Sequence, residues 1–414
     1  MSTLLQPLAG FVLLLAAAWT MGSRRGDISW RTVGGGVVLQ WALAWVLLGI
    51  PAIRDGFLWL NEAIVALQGA TDDGTAFVFG YLGGGPLPFE ESQPGASFIL
   101  AFRALPLVLV ISALSALLYY WRVMPLVVGL FSRLLRRFMG VGGATGVGAA
   151  ANIFVGMVEA PLMIRPYLDR VDRGELFAIM SCGMATIAGT MMVLYATILG
   201  PVIGPAMGHI LTASIISAPA ALTVAALMVP ARRVDERDFT LAPDESFGAM
   251  DAITRGTFDG LKLYLNIVAM LLVLVALVGL VNRILALVPI DGEAVTLQQL
   301  VGYLFAPLVW CAGIPWDEAL TAGSLMGTKT VLNEFIAYLD LAAMGDAELS
   351  ERSRLIMVYA LCGFANFGSL GIMIGGLTTI APDRRNEIIA LGFRAVIAGT
   401  LATTMTGSVV AVLG

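Results

Sequence analysis

The feature that most constrains this chain is a succession of apolar blocks about 20 residues long, parted by short polar or glycine-rich stretches. A helix rises about 1.5 Å per residue, so each block is long enough to cross a hydrocarbon core of roughly 30 Å. Eight blocks meet this length, at about 4–21, 33–50, 97–121, 176–200, 210–230, 262–286, 355–380 and 389–412. Only 13% of the residues are charged and 58% are hydrophobic, against roughly 25% charged in a soluble domain. Polar surface is too scarce to cover a globule in water. The chain therefore reads as one membrane-embedded, all-α domain with no sizeable soluble part.

The distribution of arginine orients the spans. No Lys or Arg precedes the first block, whereas Arg24, Arg25 and Arg31 follow it. A secretory signal has its charge in front and a cleavage site behind, so this block reads as a retained helix with its N-terminus outside. Alternation from there puts Arg122, Arg133, Arg136, Arg137, Arg165, Arg170, Arg173, Arg232, Arg233, Arg237, Arg384 and Arg385 in cytoplasmic segments, as the positive-inside rule requires. Both termini are then outside. The segment 54–96, with Asp72, Asp73, Glu90 and Glu91, is external and carries a short amphipathic helix at about 57–68.

Two regions, 138–168 and 301–340, do not fit simple spanning. Each is apolar, rich in small residues and interrupted near its middle by a polar cluster, and each is too short for two crossings. Both read as re-entrant hairpins, because non-helical backbone at membrane depth is tolerated only where protein buries it or a cavity solvates it. Each is followed by a span with a Gly/Thr/Asn/Ser break, at 182–190 and 362–369, and then by another span. The unit of hairpin, broken helix and helix thus occurs twice, once from each side. Paired interrupted segments of this kind point to a transporter site near the midplane.

Glu159 and Glu334 stand at the two hairpin turns. A carboxylate at membrane depth is costly; it serves a substrate or ion, caps a helix N-terminus, or does both. Asn333, Asn366 and Ser369 either hydrogen-bond a polar solute or satisfy loose backbone at the break. Asn152 and Thr190 are neutral oxygen donors near the other break, of the type a Na+ site uses. Lys329 either neutralises a carboxylate or snorkels. The run Gly140, Gly142, Gly143, Gly146, Gly148 has no strand before it, so close helix packing explains it better than a phosphate loop. Cys182, Cys311 and Cys362 are far apart and read as packing residues. A single histidine, His209, cannot build a histidine metal site or a catalytic triad. Two carboxylates about 175 residues apart, without a nucleophile set, argue against an enzyme.

The runs Asn152-Ile-Phe-Val-Gly156-Met-Val-Glu159-Ala-Pro161, Gly327-Thr-Lys-Thr-Val-Leu-Asn333-Glu334-Phe335 and Gly363-Phe-Ala-Asn366-Phe-Gly-Ser369 resemble the concentrative nucleoside transporters. The likeness covers residues 100–414 well and the first 100 in outline. It implies a homotrimer in the plasma membrane (the inner membrane of a bacterium), with lipid and nucleoside as partners, no nucleic acid, and no cofactor beyond a coupling Na+ or H+. It implies symport by an elevator movement of a transport domain against a scaffold. In such a protein residues 1–121 are scaffold helices and an external loop, 122–230 the first repeat, 231–297 a linker and scaffold helix, and 298–414 the second repeat. Glu334, Asn366 and Ser369 match the family positions that hold the ribose, and Asn333 and Phe364 join that expected set. The base-contacting motif, commonly Gly-Gln-Thr/Ser-Glu, here reads Gly156-Met157-Val158-Glu159. The family's Na+ site maps onto Asn152 and Thr190 with carbonyls such as those of Val155, Thr186 and Met191. The loss of the amide and hydroxyl at 157 and 158 keeps open a transporter of another small polar solute. A channel or structural protein of the same family is the remaining alternative.

Overall fold

Every apolar block folds as helix in the computed structural model, which describes residues 2–22, 25–91, 97–157, 159–231, 247–287, 295–345 and 348–414. Arg24, Val158, Arg232, Arg233 and Arg237 lie outside the described residues. In chain order the helices are α1 (Ser2–Thr20), α2 (Trp30–Gly49), α3 (Pro51–Phe79), α4 (Leu100–Arg103), α5 (Leu107–Tyr120) and α6 (Val123–Met139). Next come α7 (Gly143–Asn152), α8 (Glu159–Met163), α9 (Arg173–Ala185), α10 (Gly189–Ile203), α11 (Ala206–Met228) and α12 (Ala249–Leu285). The last are α13 (Leu297–Cys311), α14 (Ala319–Val331), α15 (Glu334–Ala343), α16 (Glu351–Leu361), α17 (Phe367–Ile380) and α18 (Arg385–Leu413). No strand occurs among the described residues.

The eight expected spans correspond to α1, α2, α4–α5, α9–α10, α11, α12, α16–α17 and α18. Two sequence expectations need correction. The amphipathic helix expected at 57–68 runs over Pro51–Phe79; Pro51 at its first turn suits a helix start, and the polar residues scattered along it hid its length. The second hairpin is shorter than 301–340. Residues 297–311 form a separate helix, α13, opened by a Thr296/Gln299 capping box and ended at Gly313, whose φ of +103° favours glycine. The hairpin proper is α14 and α15.

Contacts between distant segments define the two ends of the bundle. At one end Arg384 Nη1 donates to Leu168 O and Val171 O, both at 2.7 Å, and Arg394 Nη2 donates to Met21 O at 2.9 Å. At the other, Gln6 Nε2 donates to Trp310 O and Ile314 O at 2.9 and 2.8 Å, and Arg352 Nη2 donates to Ala411 O. Hairpin α7–α8 opens at the first, arginine-rich end and α14–α15 at the second, so the units α7–α11 and α14–α18 are inverted copies. Chain starts and stops share the second end.

Packing separates an inner group from an outer one. Helices α9, α11, α16 and α18 pack together, and α11 and α18 are buried along almost their whole length. Helix α12 is the opposite. Its 37 residues span about 55 Å, and Leu265, Leu272, Leu277 and Leu280 are exposed. It touches α5 through Gly256 and Gly260, where an added Cβ would lie 2.6 Å from Ser112 O and 2.8 Å from Ser112 Cβ. Backbones approach this closely only through small residues.

Candidate substrate and cation sites

Hairpin α14–α15 carries the N-terminus of α15 among the buried helices, hairpin α7–α8 brings Met157 against Gly183 of α9, and each broken helix ends and restarts nearby. Helix α15 starts with Asn333 as N-cap, its side chain accepting from Ile336 N at 3.0 Å. Glu334 is therefore the first helical residue, beside the positive end of the helix dipole. Helix α17 starts in the same way. Asn366 Oδ1 accepts from Ser369 N at 2.6 Å, which fixes the amide so that its Nδ2 points outward from the turn.

That amide donates to Glu334 Oε2 at 2.7 Å. The other carboxylate oxygen, Oε1, accepts from Tyr195 Oη at 2.6 Å. Glu334 is 3% exposed and Asn366 1%, so both bonds lie in a dry setting where charged donors and acceptors bind strongly. Tyr195 belongs to α10 in the first repeat, Glu334 and Asn366 to the second. The carboxylate thus joins the two halves of the molecule. An ionised carboxylate offers about four lone-pair sites, so roughly two remain for hydroxyl donors. Asn366 serves both roles weighed from sequence: it caps the break and it presents a donor.

Lys329 does not snorkel. Fully buried, its Nζ donates to Ala360 O at 2.9 Å and to Thr403 Oγ1 at 3.2 Å. Ala360 is in the last turn of α16, where carbonyls lack helical partners and the dipole is negative. The ammonium closes the end of the broken helix. It attracts Glu334 electrostatically, yet among the described residues no hydrogen bond joins the two.

The first repeat differs at both positions. Glu159 begins α8 and is exposed, so the two hairpin carboxylates are not equivalent in burial. The Glu159 carboxylate folds back over Gly156, occupying the space a Cβ there would take. Met157 is buried and packs on the first break, with its Cβ 2.9 Å from where a side chain at Gly183 would begin. Asn152 ends α7. Its Nδ2 donates to Gly148 O at 3.0 Å and Ile179 O at 3.4 Å, whereas its buried Oδ1 has no partner among the described residues. Thr186 Oγ1 donates to Cys182 O at 2.8 Å, leaving its lone pairs free to accept. The backbone is extended at the break, at Thr186 and Ala188, which takes it out of the helical hydrogen-bond ladder. A buried, unpartnered amide oxygen beside a broken helix is the donor chemistry a small cation needs.

The breaks themselves touch. Phe364 N donates to Thr186 O at 3.3 Å, and a Cβ on Gly363 would lie 2.9 Å from Met184 O. Ser369 and Phe364 are buried beside Asn366. Thr190 sits in the first turn of α10 and Met191 is buried after it; Val155, partly buried, follows the end of α7. His209 Nδ1 is 2.8 Å from Tyr359 Oη. All three cysteines are free thiols. Sequence reasoning missed Tyr195, since one aromatic in an apolar helix carries no signal of its own.

Three family models match: the N-terminus of Na+ dependent nucleoside transporters over residues 9–82, a nucleoside recognition region over 101–202, and the transporter C-terminus over 209–411. An uncharacterized transporter of Bacillus subtilis, YutK, is 38% identical over 410 residues, covering 97% of each chain. The nucleoside permease NupC of Helicobacter pylori is 34% identical over 407 residues, covering 97% of this chain and 95% of its own. Among solved structures, CNTnw in an inward-facing substrate-bound state superposes with a TM-score of 0.90 at 35% identity, covering 99% of both chains. An outward-facing variant of CNTnw also gives 0.90, at 35% identity over 100% of this chain and 99% of its own. These matches span the whole fold and agree with the hairpin and break motifs, so the chain is a multi-pass membrane protein, not an enzyme, and belongs to the concentrative, Na+ dependent nucleoside transporter family.

Proposed function

We propose that this protein is a cation-coupled nucleoside symporter that imports nucleosides across the cell membrane. The observation that carries this reading is the buried Glu334 carboxylate, held by Tyr195 from one repeat and Asn366 from the other. Its remaining lone pairs suit vicinal sugar hydroxyls, with Ser369 and Asn333 as further polar groups and Phe364 as an apolar wall. Glu159, Met157 and Val158 on the first hairpin are assigned to the base. Asn152 Oδ1, with Thr186, Thr190 and the carbonyls of Val155 and Met191, is assigned to a coupling Na+; its unpartnered buried oxygen supports this. The two inverted units would move as a transport domain against a scaffold of residues 1–121 and α12, whose long apolar exposed face suits both lipid and a neighbouring copy in a trimer. Alternating exposure would follow from an elevator-type displacement, with both termini outside and the arginine-rich end in the cytoplasm of a bacterial cell.

The direct test is uptake of radiolabelled nucleosides into proteoliposomes with and without an inward Na+ gradient. Uptake driven by Na+ is the expected result. Uptake indifferent to Na+ but driven by a pH gradient would transfer coupling to a carboxylate such as Glu159. No nucleoside uptake under either gradient would refute the reading. Met157 and Val158 favour a second reading, a symporter of another small polar solute, which competition by non-nucleoside solutes would reveal.

A further inference from the structure

We propose that the arginine-rich end carries a binding site for an anionic phospholipid, at the seam between α2 and the amphipathic helix α6. A shallow, solvent-open cleft of about 460 Å3 is lined there by Arg31, Arg133, Arg136, Arg137, Gly140 and Val141. Four arginines line it, and among the described residues no carboxylate does. Among the described residues none of the four is in an ion pair. Arg31 is nevertheless drawn towards the others, its Nη2 donating to Arg137 O at 3.2 Å. Like charges gathered this way repel, and an external anion relieves the repulsion. Planar guanidinium forks match phosphate oxygens in pairs.

The surface of α6 selects a lipid over a free anion. Leu126, Leu130, Arg133 and Arg137 recur at spacings of three and four, so they form one stripe along the helix. Leu126 is 71% exposed and Leu130 62%. The stripe is apolar for its first half and cationic at its end, over about 16 Å. An acyl chain would lie along Leu126 and Leu130 while the phosphate sits among the arginines. Arg136 reaches further, its Cγ 2.7 Å from where a Cβ at Gly146 would stand on α7. The headgroup therefore lies beside the root of the first hairpin.

Native mass spectrometry of the detergent-purified protein tests this, with phosphatidylglycerol, phosphatidylcholine or inorganic phosphate added at matched concentrations. Wild-type protein should retain phosphatidylglycerol in preference to phosphatidylcholine. Arg133→Gln with Arg137→Gln should weaken phosphatidylglycerol binding about thirtyfold, at about a fivefold loss per arginine. Arg31→Gln, on the other helix, should weaken it about fivefold alone and guards against a folding defect in the double variant. Leu126→Ser with Leu130→Ser should weaken lipid retention as well. Unchanged retention in folded arginine variants, as judged by gel filtration and melting, overturns the proposal. Displacement of the lipid by equimolar inorganic phosphate overturns it too, because the cleft would then be a site for soluble anions.

Discussion

Replacing Glu334 by Gln isolates the charge of the central carboxylate with little change in shape. Asn366 Oδ1 is committed to Ser369 N at 2.6 Å, so its amide cannot turn over. The new side chain must therefore present its oxygen to Asn366 Nδ2 and its NH2 group to Tyr195 Oη, which is free to accept. Both internal contacts survive, and the fold should persist. What is lost is the strength of the bonds to substrate hydroxyls. Charge-assisted hydrogen bonds contribute about 1.5–3 kcal/mol and neutral ones about 0.5–1.5. Two such bonds weakened together cost about 2–3 kcal/mol, which raises Kd about 30- to 150-fold. Calorimetric titration of the purified variant with the best wild-type nucleoside measures this, and a melting curve verifies folding. A folded variant whose Kd stays within about threefold of wild type would refute the assignment of Glu334 to the sugar.

Thr190→Val should raise the Na+ concentration giving half-maximal uptake, with little effect on nucleoside binding at saturating Na+. Equal weakening at all Na+ concentrations would place Thr190 elsewhere. Met157→Gln with Val158→Thr should shift preference towards uridine, since an apolar pocket discriminates by only about 1–3 kcal/mol per small group whereas paired hydrogen bonds reject analogues sharply; competition against one labelled nucleoside reads this directly. Lys329→Met removes the ammonium from the end of α16 and leaves the buried Ala360 carbonyl and Thr403 hydroxyl without their donor, a loss of about 1–3 kcal/mol. Unfolding in detergent should show it, and a melting point equal to wild type would contradict the account of Lys329.

The spans were readable because length and hydropathy alone specify them, and the breaks because Gly, Thr and Asn interrupt otherwise apolar runs. Asn366 and Glu334 were readable for a related reason: a polar side chain at membrane depth must be held by something. What escaped was information that exists only across the fold. Tyr195 meets Glu334 over 139 positions of sequence, and nothing near Tyr195 marks it. Lys329 was seen but not placed, since its partners Ala360 and Thr403 present one backbone oxygen and one hydroxyl among many. The extent of α3 and the separateness of α13 were hidden by mixed polarity, where neither a clean apolar block nor a clean loop exists. The unequal burial of Glu159 and Glu334 likewise follows from tertiary packing, as both occupy the same place in their hairpins.

The hydrogen bond from Phe364 N to Thr186 O has a mechanical consequence. It makes the interrupted points of the two repeats neighbours, with the chain that presents Asn366 on one side and the chain beside Asn152 on the other. Glycine at 363 lets the two loops approach with backbone against backbone. A shift of one loop is handed to the other through this hydrogen bond and the close approach of Gly363 to Met184 O. Two ligands held on opposite sides of such a contact need no relay of intermediate residues to sense each other; each sets the shape of the wall against which the other rests.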